Sequence, residues 1–277
     1  MPPWRIVSVL SACSVSITPT NFWSESVASR KARLDTLLVD RGLVPSRERA
    51  RAVILAGQVT VDGQVVSKAG AQILDAARLE LVAPDHPYVS RGGVKLAHAL
   101  DTFGIDVTGR RALDVGASTG GFTDVLLRRG VASVIALDVG HGQLAWPLRT
   151  DPRVVVREGV NARHLTPDDV PHAVSVVTID VAFISLRLIL PSLPPFLEPG
   201  GDIVALVKPQ FEAGREEVGK HGLVVDPAIH AAVIARVTEA ARAIGLIRTA
   251  LAPAAITGAT GNQEFFVHLR RMAASDR

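Results

Sequence analysis

The pattern of hydrophobic and polar positions changes near residue 84. Beyond it, apolar runs of strand length alternate with amphipathic helical stretches, which is typical of a parallel α/β sheet. The apolar runs end at Asp114, Asp138, Val156, Ile179, Val207 and Leu269, and a long helix is predicted from Asp226 to Ile244. We therefore predict a doubly wound α/β domain over 91–272, with polar residues collected at the carboxyl edge of its sheet.

The residues before position 84 predict a smaller α+β domain. Two helical stretches, 34–42 and 46–57, each end at a glycine, and Ser46 is placed to cap the second one. An Asp-Gly turn between two short apolar runs follows, which is typical of a β-hairpin. We predict a domain over 30–83, joined to the α/β domain by a short linker over 84–90.

The first 29 residues are rich in serine and threonine and lack periodicity, so we predict a disordered extension over 1–29. Cys13 ends a Leu-Ser-Ala-Cys box like that of lipoproteins, but the apolar stretch before it is shorter than the ~7–15 residues of a signal peptide. One cysteine in 277 residues excludes a disulfide framework and suits a reducing cytoplasm. No apolar run reaches the ~20 residues that span a bilayer.

Charge and histidine spacing limit the possible partners. The formal net charge is only +3, so attraction to nucleic acid has to come from local clusters of basic residues. Arginines cluster around the turn between the two predicted helices of the smaller domain, where they could pair with phosphates or form a solvated helix face. The eight histidines show no H-x-x-x-H spacing, and we predict no metal site.

A glycine-rich turn, Gly116 to Gly121, separates the strand that ends at Asp114 from a helical stretch. Glycines let the backbone approach a ligand closely, and the N–H groups of a helix start can face an anion. Asp138 ends the next strand, where a carboxylate can accept hydrogen bonds from ribose hydroxyls. The sequence therefore predicts a nucleoside site.

Other families use similar turns. The spacing is neither the G-x-G-x-x-G dinucleotide pattern nor a P-loop. Gly116-Ala-Ser118-Thr-Gly120 does fit the nucleophile elbow of serine hydrolases. We favour nucleoside binding because this is the first strong strand of its domain and the last histidine, His268, lies within a predicted strand.

Asp114, the glycine turn and Asp138 resemble motif I and the following acidic strand end of S-adenosylmethionine-dependent methyltransferases, which have a Rossmann-like fold. This resemblance implies S-adenosylmethionine as the cofactor. The residues it places at the cofactor are Asp114, Gly116, Ala117, Ser118, Gly120, Gly121, Phe122, Asp138, Asn161 and Asp180.

The stretch from Leu34 to Ala50, followed by the hairpin with Asp62-Gly63, resembles the S4 RNA-binding domain. This resemblance implies structured RNA as a partner. The arginines that we expect to contact RNA are Arg33, Arg41, Arg47, Arg49, Arg51 and, at the start of the α/β domain, Arg91.

Lys95, Asp180, Lys208 and Glu264 each lie at a predicted strand end or helix start. Together they resemble the Lys-Asp-Lys-Glu tetrad of the FtsJ-related ribosomal RNA ribose 2′-O-methyltransferases. The resemblance implies in-line transfer of a methyl group to a 2′-hydroxyl without a metal. We expect Lys208 to be the base and Lys95 either to lower its pKa by like-charge repulsion or to hold the ribose. Asp180 is expected to orient Lys208 and the methyl group, and Glu264 to fix the lysine geometry.

The order of all these motifs over 30–271 resembles the TlyA family of ribosomal RNA cytidine 2′-O-methyltransferases, also known as haemolysins. Two residues depart from its usual pattern: Ala182 replaces a serine, and His164 stands where an acid is common. The resemblance implies a protein that acts on ribosomal subunits, and we expect it to be cytoplasmic and monomeric. The alternatives are a membrane-active haemolysin, a methyltransferase for another RNA or a protein, and the hydrolase built on Ser118.

Overall fold

The computed structural model describes residues 30–82 and 86–271. The disordered extension predicted over 1–29 lies outside the described residues, as do residues 83–85, where we placed the domain boundary. The boundaries at 83 and 91 therefore stay predictions.

The N-terminal domain combines two helices with short strands. Ser46 accepts a hydrogen bond from the backbone N–H of Arg49, which confirms the predicted helix cap. Asp62 and Gly63 both have positive φ, as a tight hairpin turn requires. Leu34, Leu38 and other apolar side chains form its core. The elements are β1 (Lys31–Arg33), α1 (Leu34–Asp40), α2 (Arg47–Leu55), β2 (Val59–Val61), β3 (Gln64–Val65), β4 (Gln72–Leu74) and β5 (Leu79–Leu81).

The C-terminal domain is a seven-stranded sheet with helices on both faces, in the strand order β11-β12-β10-β9-β6-β7-β8. The helices are α3 (Gly92–Phe103), α4 (Gly121–Arg128), α5 (Trp146–Arg149), α6 (Leu186–Ile189), α7 (Pro209–Glu212) and α8 (Pro227–Arg242). The strands are β6 (Arg111–Val115), β7 (Ser133–Asp138), β8 (Val154–Glu158), β9 (Val174–Ile179), β10 (Leu197–Val207), β11 (Leu246–Pro253) and β12 (Phe265–Arg271).

The five strands β6 to β10 run parallel, while β12 pairs antiparallel with both β10 and β11. The chain passes from β6 through β7 to β8 and then returns to place β9 on the other side of β6. Strand order thus reverses at β6, and such a switch point opens a crevice at the carboxyl edge of a parallel sheet. This confirms the predicted α/β class.

The central strands are apolar on both faces because helices cover both. One core cluster joins the sheet to α6 and α8, and the other joins it to α3 and α4. The sequence analysis missed β11. This strand lies at the sheet edge, where Ile247 and Leu251 are exposed, so its residues lack the apolar run that identified the buried strands.

Candidate functional site

The glycine turn follows β6 at the switch point. The N–H groups of Gly116 and Ala117 both donate to the carbonyl oxygen of Leu137, at 2.8 and 3.1 Å. Gly116 has a φ of +84°, and a Cβ there would lie 2.4 Å from the carbonyl oxygen of Asp180. The turn therefore packs directly against the end of β9, and position 116 requires glycine.

Asp138, at the end of β7, is fixed by the same turn. Its Oδ2 accepts from the N–H of Ser118 at 2.8 Å, and its Oδ1 accepts from the N–H of Gly140 at 2.7 Å. Each carboxylate oxygen has a second acceptor site. Asp138 can thus accept further hydrogen bonds from a ligand in the neighbouring cleft.

This cleft has a volume of about 540 Å³, within the range of small-molecule sites. Its lining residues include the polar Asp138 and Asn161, the apolar Ile184 and Ile189, and Gly116. A lining with both polar groups and apolar side chains suits a nucleoside, whose ribose is polar and whose base has apolar faces.

A second cavity of about 260 Å³ joins the cleft through shared lining residues that include Gly116, Ser118 and Asp180. All four tetrad residues line it. Lys95 Nζ lies 2.6 Å from Glu264 Oε2, and Lys208 Nζ lies 2.6 Å from Asp180 Oδ1. The structure thus brings together four side chains: Lys95 in α3, Asp180 and Lys208 directly after β9 and β10, and Glu264 directly before β12.

The expected depression of the Lys208 pKa is wrong for this state of the protein. Burial alone lowers the pKa of the Lys208 amine, but the negative charges of Asp180 and Glu264 outweigh it and raise the pKa above its ordinary value. Lys95 cannot act as an unopposed positive charge because Glu264 pairs with it. Each lysine has its own carboxylate.

Not every predicted cofactor residue faces a cavity. Asp114 is fully buried behind the turn, where it accepts hydrogen bonds from the hydroxyls of Thr123 and Thr178 at 2.6 and 2.9 Å. It therefore positions the start of α4 against β9. Gly120 makes room for Leu148, whose Cδ1 would lie 2.2 Å from a Cβ at position 120. Ala117, Gly121 and Phe122 line the smaller cavity.

Burial raises the pKa of Asp114 to about 7, against the hydrogen bonds from its two threonines. The folded protein then binds a proton that the unfolded chain, with a pKa of 3.8, releases. The contribution of Asp114 to stability is therefore full below pH 4 and lost as the pH rises through 7. We expect the free energy of unfolding of the wild type to fall by about 2 kcal/mol between pH 5 and 7, relative to Asp114→Asn.

Urea denaturation of the two proteins at several pH values from 5 to 8 measures this difference. A difference in unfolding free energy that stays constant over this range would contradict the raised pKa of Asp114.

The Ser118 hydroxyl does not have the partners of a hydrolase nucleophile. Its Oγ lies 3.2 Å from Gln143 Oε1. His268, the residue that a hydrolase would need as base, bonds instead to Asp202 and Thr249, each at 2.8 Å. Both ring nitrogens of His268 are thereby occupied inside the sheet. The hydrolase interpretation therefore cannot use His268 as its base.

Four of the six predicted RNA-contacting arginines are held by local hydrogen bonds or ion pairs. The fully buried Asp35 lies within 4 Å of Arg33, Arg47 and Arg51, and the hydrogen bonds and charges of Arg33 and Arg47 hold the pKa of Asp35 well below its usual range. The side chains of these arginines stay about half exposed, so N–H groups that do not contact Asp35 can bind another partner. Arg41 donates to the carbonyl oxygens of Asp75 and Ala77 and closes the domain.

Sequence reasoning missed several residues that line the cavities. Ile256, Thr257 and Ala259 come from the irregular stretch before β12, and Leu55 and Gly57 come from the N-terminal domain. Arg91 lies beside Gly57, because a Cβ at position 57 would be 3.0 Å from Arg91 Cδ. Such loop and interdomain contacts have no periodic signal in a sequence.

The residues that the structure describes hold no group of three or more histidine, cysteine, aspartate or glutamate side chains arranged for a metal ion. Across 30–82 and 86–271, no helix is long and apolar enough to cross a membrane.

Comparisons with known proteins agree with this architecture. Residues 32–76 match the S4 domain family, and residues 88–271 match the FtsJ-like methyltransferase family. The chain is 47% identical over 243 residues to the 16S/23S rRNA (cytidine-2′-O)-methyltransferase TlyA of Mycobacterium tuberculosis, covering 87% of this chain and 91% of that one.

It is also 40% identical over 240 residues to Hemolysin A of Brachyspira hyodysenteriae, covering 85% of this chain and 98% of the relative. A solved structure of a candidate hemolysin from Streptococcus thermophilus superimposes with a TM-score of 0.69 at 45% identity, over 88% of this chain and 90% of the other. The chain therefore belongs to the TlyA family, in which an S4 domain precedes an FtsJ-like methyltransferase domain.

Proposed function

We propose that this protein transfers a methyl group from S-adenosylmethionine to the ribose 2′-oxygen of a cytidine in ribosomal RNA. The observation that carries the proposal is the junction of two cavities at Gly116 and Asp180. One is a nucleoside-sized cleft, and the other contains two lysine–carboxylate pairs. The TlyA relative has the same reaction in its name.

The donor fits the larger cleft. Asp138 offers acceptor sites for ribose hydroxyls, and the apolar side chains of Ile184 and Ile189 can pack against an adenine ring. Asn161 lines the same cleft but caps a short helical turn by accepting from the N–H of Arg163, so its part in binding is smaller. When bound, S-adenosylmethionine supplies an electrophilic methyl group and a positive sulfonium charge.

Lys208 is the proposed base. Its pairing with Asp180 keeps its amine charged in the free protein, so it must first release this proton to solvent before it can accept the proton of the 2′-hydroxyl. The positive sulfonium charge of a bound donor would weaken the attraction between the Asp180 carboxylate and the Lys208 ammonium group. This would lower the pKa of Lys208. Lys95, held by Glu264, then acts as a fixed cation that positions the substrate.

The S4 domain is the proposed RNA anchor. Around the buried Asp35, three half-exposed arginines form a rigid positive cluster, which suits bidentate contacts to phosphate groups. Ribosomes and the methyl donor are both cytoplasmic, so we propose that the protein acts in the cytoplasm.

The direct test uses ribosomes and isolated subunits from a strain that lacks the gene. They are incubated with the purified full chain and S-adenosylmethionine carrying a tritiated methyl group, and the RNA is digested to nucleosides. We expect label in 2′-O-methylcytidine. Label in a methylated base, in another RNA or in protein would replace the proposed substrate, and no label despite measured cofactor binding would reject ribosomal RNA.

Arg49 provides a test of RNA docking because it lies in the cluster of arginines on α2 but has no contact with Asp35 among its described hydrogen bonds and ion pairs. We expect Arg49→Gln to weaken binding of the RNA substrate and to reduce the slope of log affinity against log salt by about one. Filter binding at several salt concentrations measures both. Arg242→Gln, at the exposed end of α8, is the control. Equal slopes for both variants would place the RNA elsewhere.

A further inference from the structure

Two short segments carry the proposed catalytic lysine and its carboxylate. The Asp180 segment (180–187) follows β9, and the Lys208 segment (208–212) follows β10. Lys208 and Asp180 link them at the cavity. A second link joins the same two segments, and neither the tetrad nor the proposed reaction accounts for it.

Glu212 forms this second link. It is only 4% exposed, although it carries a carboxylate. Its Oε2 accepts from the hydroxyl of Ser185 at 2.6 Å, and its Oε1 accepts from the backbone N–H of Leu186 at 2.6 Å. Arg187 Nε lies 3.6 Å from Oε2 and supplies the counter-charge. One buried side chain of the Lys208 segment thus fixes three consecutive residues of the Asp180 segment.

An aromatic contact reinforces the same junction. The rings of Phe183 and Phe211 lie 5.2 Å apart between centroids, one from each segment. Phe183 has a φ of +64°, a conformation that costs a non-glycine residue energy unless its surroundings hold it. The hydrogen bonds of Ser185 and Leu186 to Glu212 fix the backbone two and three residues further on.

The two links must behave differently during the reaction. The pair between Lys208 and Asp180 has to rearrange, because Lys208 must release a proton and then accept another. The link through Glu212 contacts neither cavity, and buried hydrogen bonds to a carboxylate are among the stronger ones. It can therefore keep the two segments aligned while the ion pair between Lys208 and Asp180 rearranges.

We propose that Glu212 is a positioning residue that holds the Asp180 and Lys208 segments in register during methyl transfer. This inference rests on the proposed function. A displacement of about 1 Å between reacting groups can cost about 100-fold in rate. Loss of Glu212 should therefore reduce kcat far more than it reduces cofactor affinity.

The test compares Glu212→Ala with wild type in three measurements: kcat for methyl transfer to ribosomal RNA, Kd for S-adenosylmethionine by calorimetry, and hydrogen exchange of the Leu186 amide. We expect kcat to fall about 100-fold, Kd to change less than about threefold, and exchange of Leu186 to accelerate. Glu212→Gln keeps the size and one acceptor oxygen, so it should recover part of kcat.

Glu217→Ala is the matched control. Glu217 lies in the loop after the Lys208 segment and also accepts from a backbone N–H, that of Gly214, and from Arg236. It does not contact the Asp180 segment through its described hydrogen bonds. The kcat of Glu217→Ala should stay within about twofold of the wild-type kcat.

Three results would overturn the inference: an unchanged kcat in Glu212→Ala, a kcat that falls only in step with cofactor affinity, or an equal loss in Glu217→Ala. If Glu212→Ala does not fold, Ser185→Ala decides, because it leaves Glu212 in place and removes the hydrogen bond to its Oε2, together with the two that the Ser185 hydroxyl accepts from Arg187. A lower kcat at unchanged thermal stability supports the inference, and an unchanged kcat overturns it. A wild type that does not label ribosomal RNA would instead reject the proposed function, and exchange of Leu186 would still test the link.

Discussion

Replacement of Lys208 by methionine is expected to reduce kcat for methyl transfer about 1,000-fold, since general-base catalysis contributes 10²–10⁴-fold. Methionine keeps the length and apolar part of the side chain but cannot accept a proton. It also leaves Asp180 without its cation at 2.6 Å. Because Lys208 lies in the smaller cavity and not in the nucleoside cleft, cofactor affinity should change less than about threefold.

Single-turnover kinetics with labelled donor separate these two quantities. Lys220→Met is the control, since Lys220 is an exposed lysine in the loop that follows α7. It should transfer methyl groups at the wild-type rate. A Lys208→Met protein with at least a tenth of the wild-type kcat would remove Lys208 from the role of base.

The pH dependence of the wild-type rate is a second test of Lys208 as the base. Asp180 and Glu264 raise the pKa of Lys208, and a base acts only when it is deprotonated. The wild-type kcat should therefore rise with pH above neutrality. The residual rate of Lys208→Met should lack this rise, and a rise of the same size in both would assign the titration to another group.

The position of the site was predictable from sequence because strand ends are local features. Asp114, Asp138 and Asp180 each follow an apolar run, and parallel strands bring such ends to one edge. The direction of each side chain was harder to predict. Asp114 points into the protein toward Thr123 and Thr178, whereas Asp138 faces the cleft.

The resemblance implied that Asp180 orients Lys208, but the direct pairing of Lys95 with Glu264 could not be predicted, because it joins residues far apart in the chain. Lys95 and Glu264 are separated by 169 positions, yet their charged atoms lie 2.6 Å apart. The sequence shows two lysines in one site, which suggests mutual repulsion. It does not show that each lysine meets a carboxylate of its own, and this reverses the direction of the Lys208 pKa.

The arginines of the S4 domain illustrate a similar limit. Their clustering is visible in the sequence, but their common partner is not, because the sequence pattern shows Asp35 only as a polar residue on a predicted helix. In the structure it is fully buried and organises Arg33, Arg47 and Arg51. These three arginines thus share one buried counter-ion, the carboxylate of Asp35.

Replacement of Gly116 by alanine is expected to be the most damaging single change in the glycine turn. An added Cβ would lie 2.4 Å from the carbonyl oxygen of Asp180, and this atom belongs to the backbone, so no side-chain rotation can relieve the clash. The φ of +84° adds strain for any residue other than glycine. The turn and the end of β9 must therefore separate, which displaces both Asp180 and the cleft wall.

We expect Gly116→Ala to lose about 3 kcal/mol of unfolding free energy and to reduce methyl transfer about 100-fold, with a matching loss of cofactor affinity. Gly109→Ala is the control. Its φ of +70° is similar, but nothing lies within 4 Å of an added Cβ. This variant should lose only about 1 kcal/mol and keep its affinity for S-adenosylmethionine. Denaturation and calorimetry on both variants separate backbone strain, which they share, from the clash with Asp180, which only Gly116→Ala creates. Equal effects on cofactor affinity would show that the close approach of the turn to β9 is not what forms the cleft.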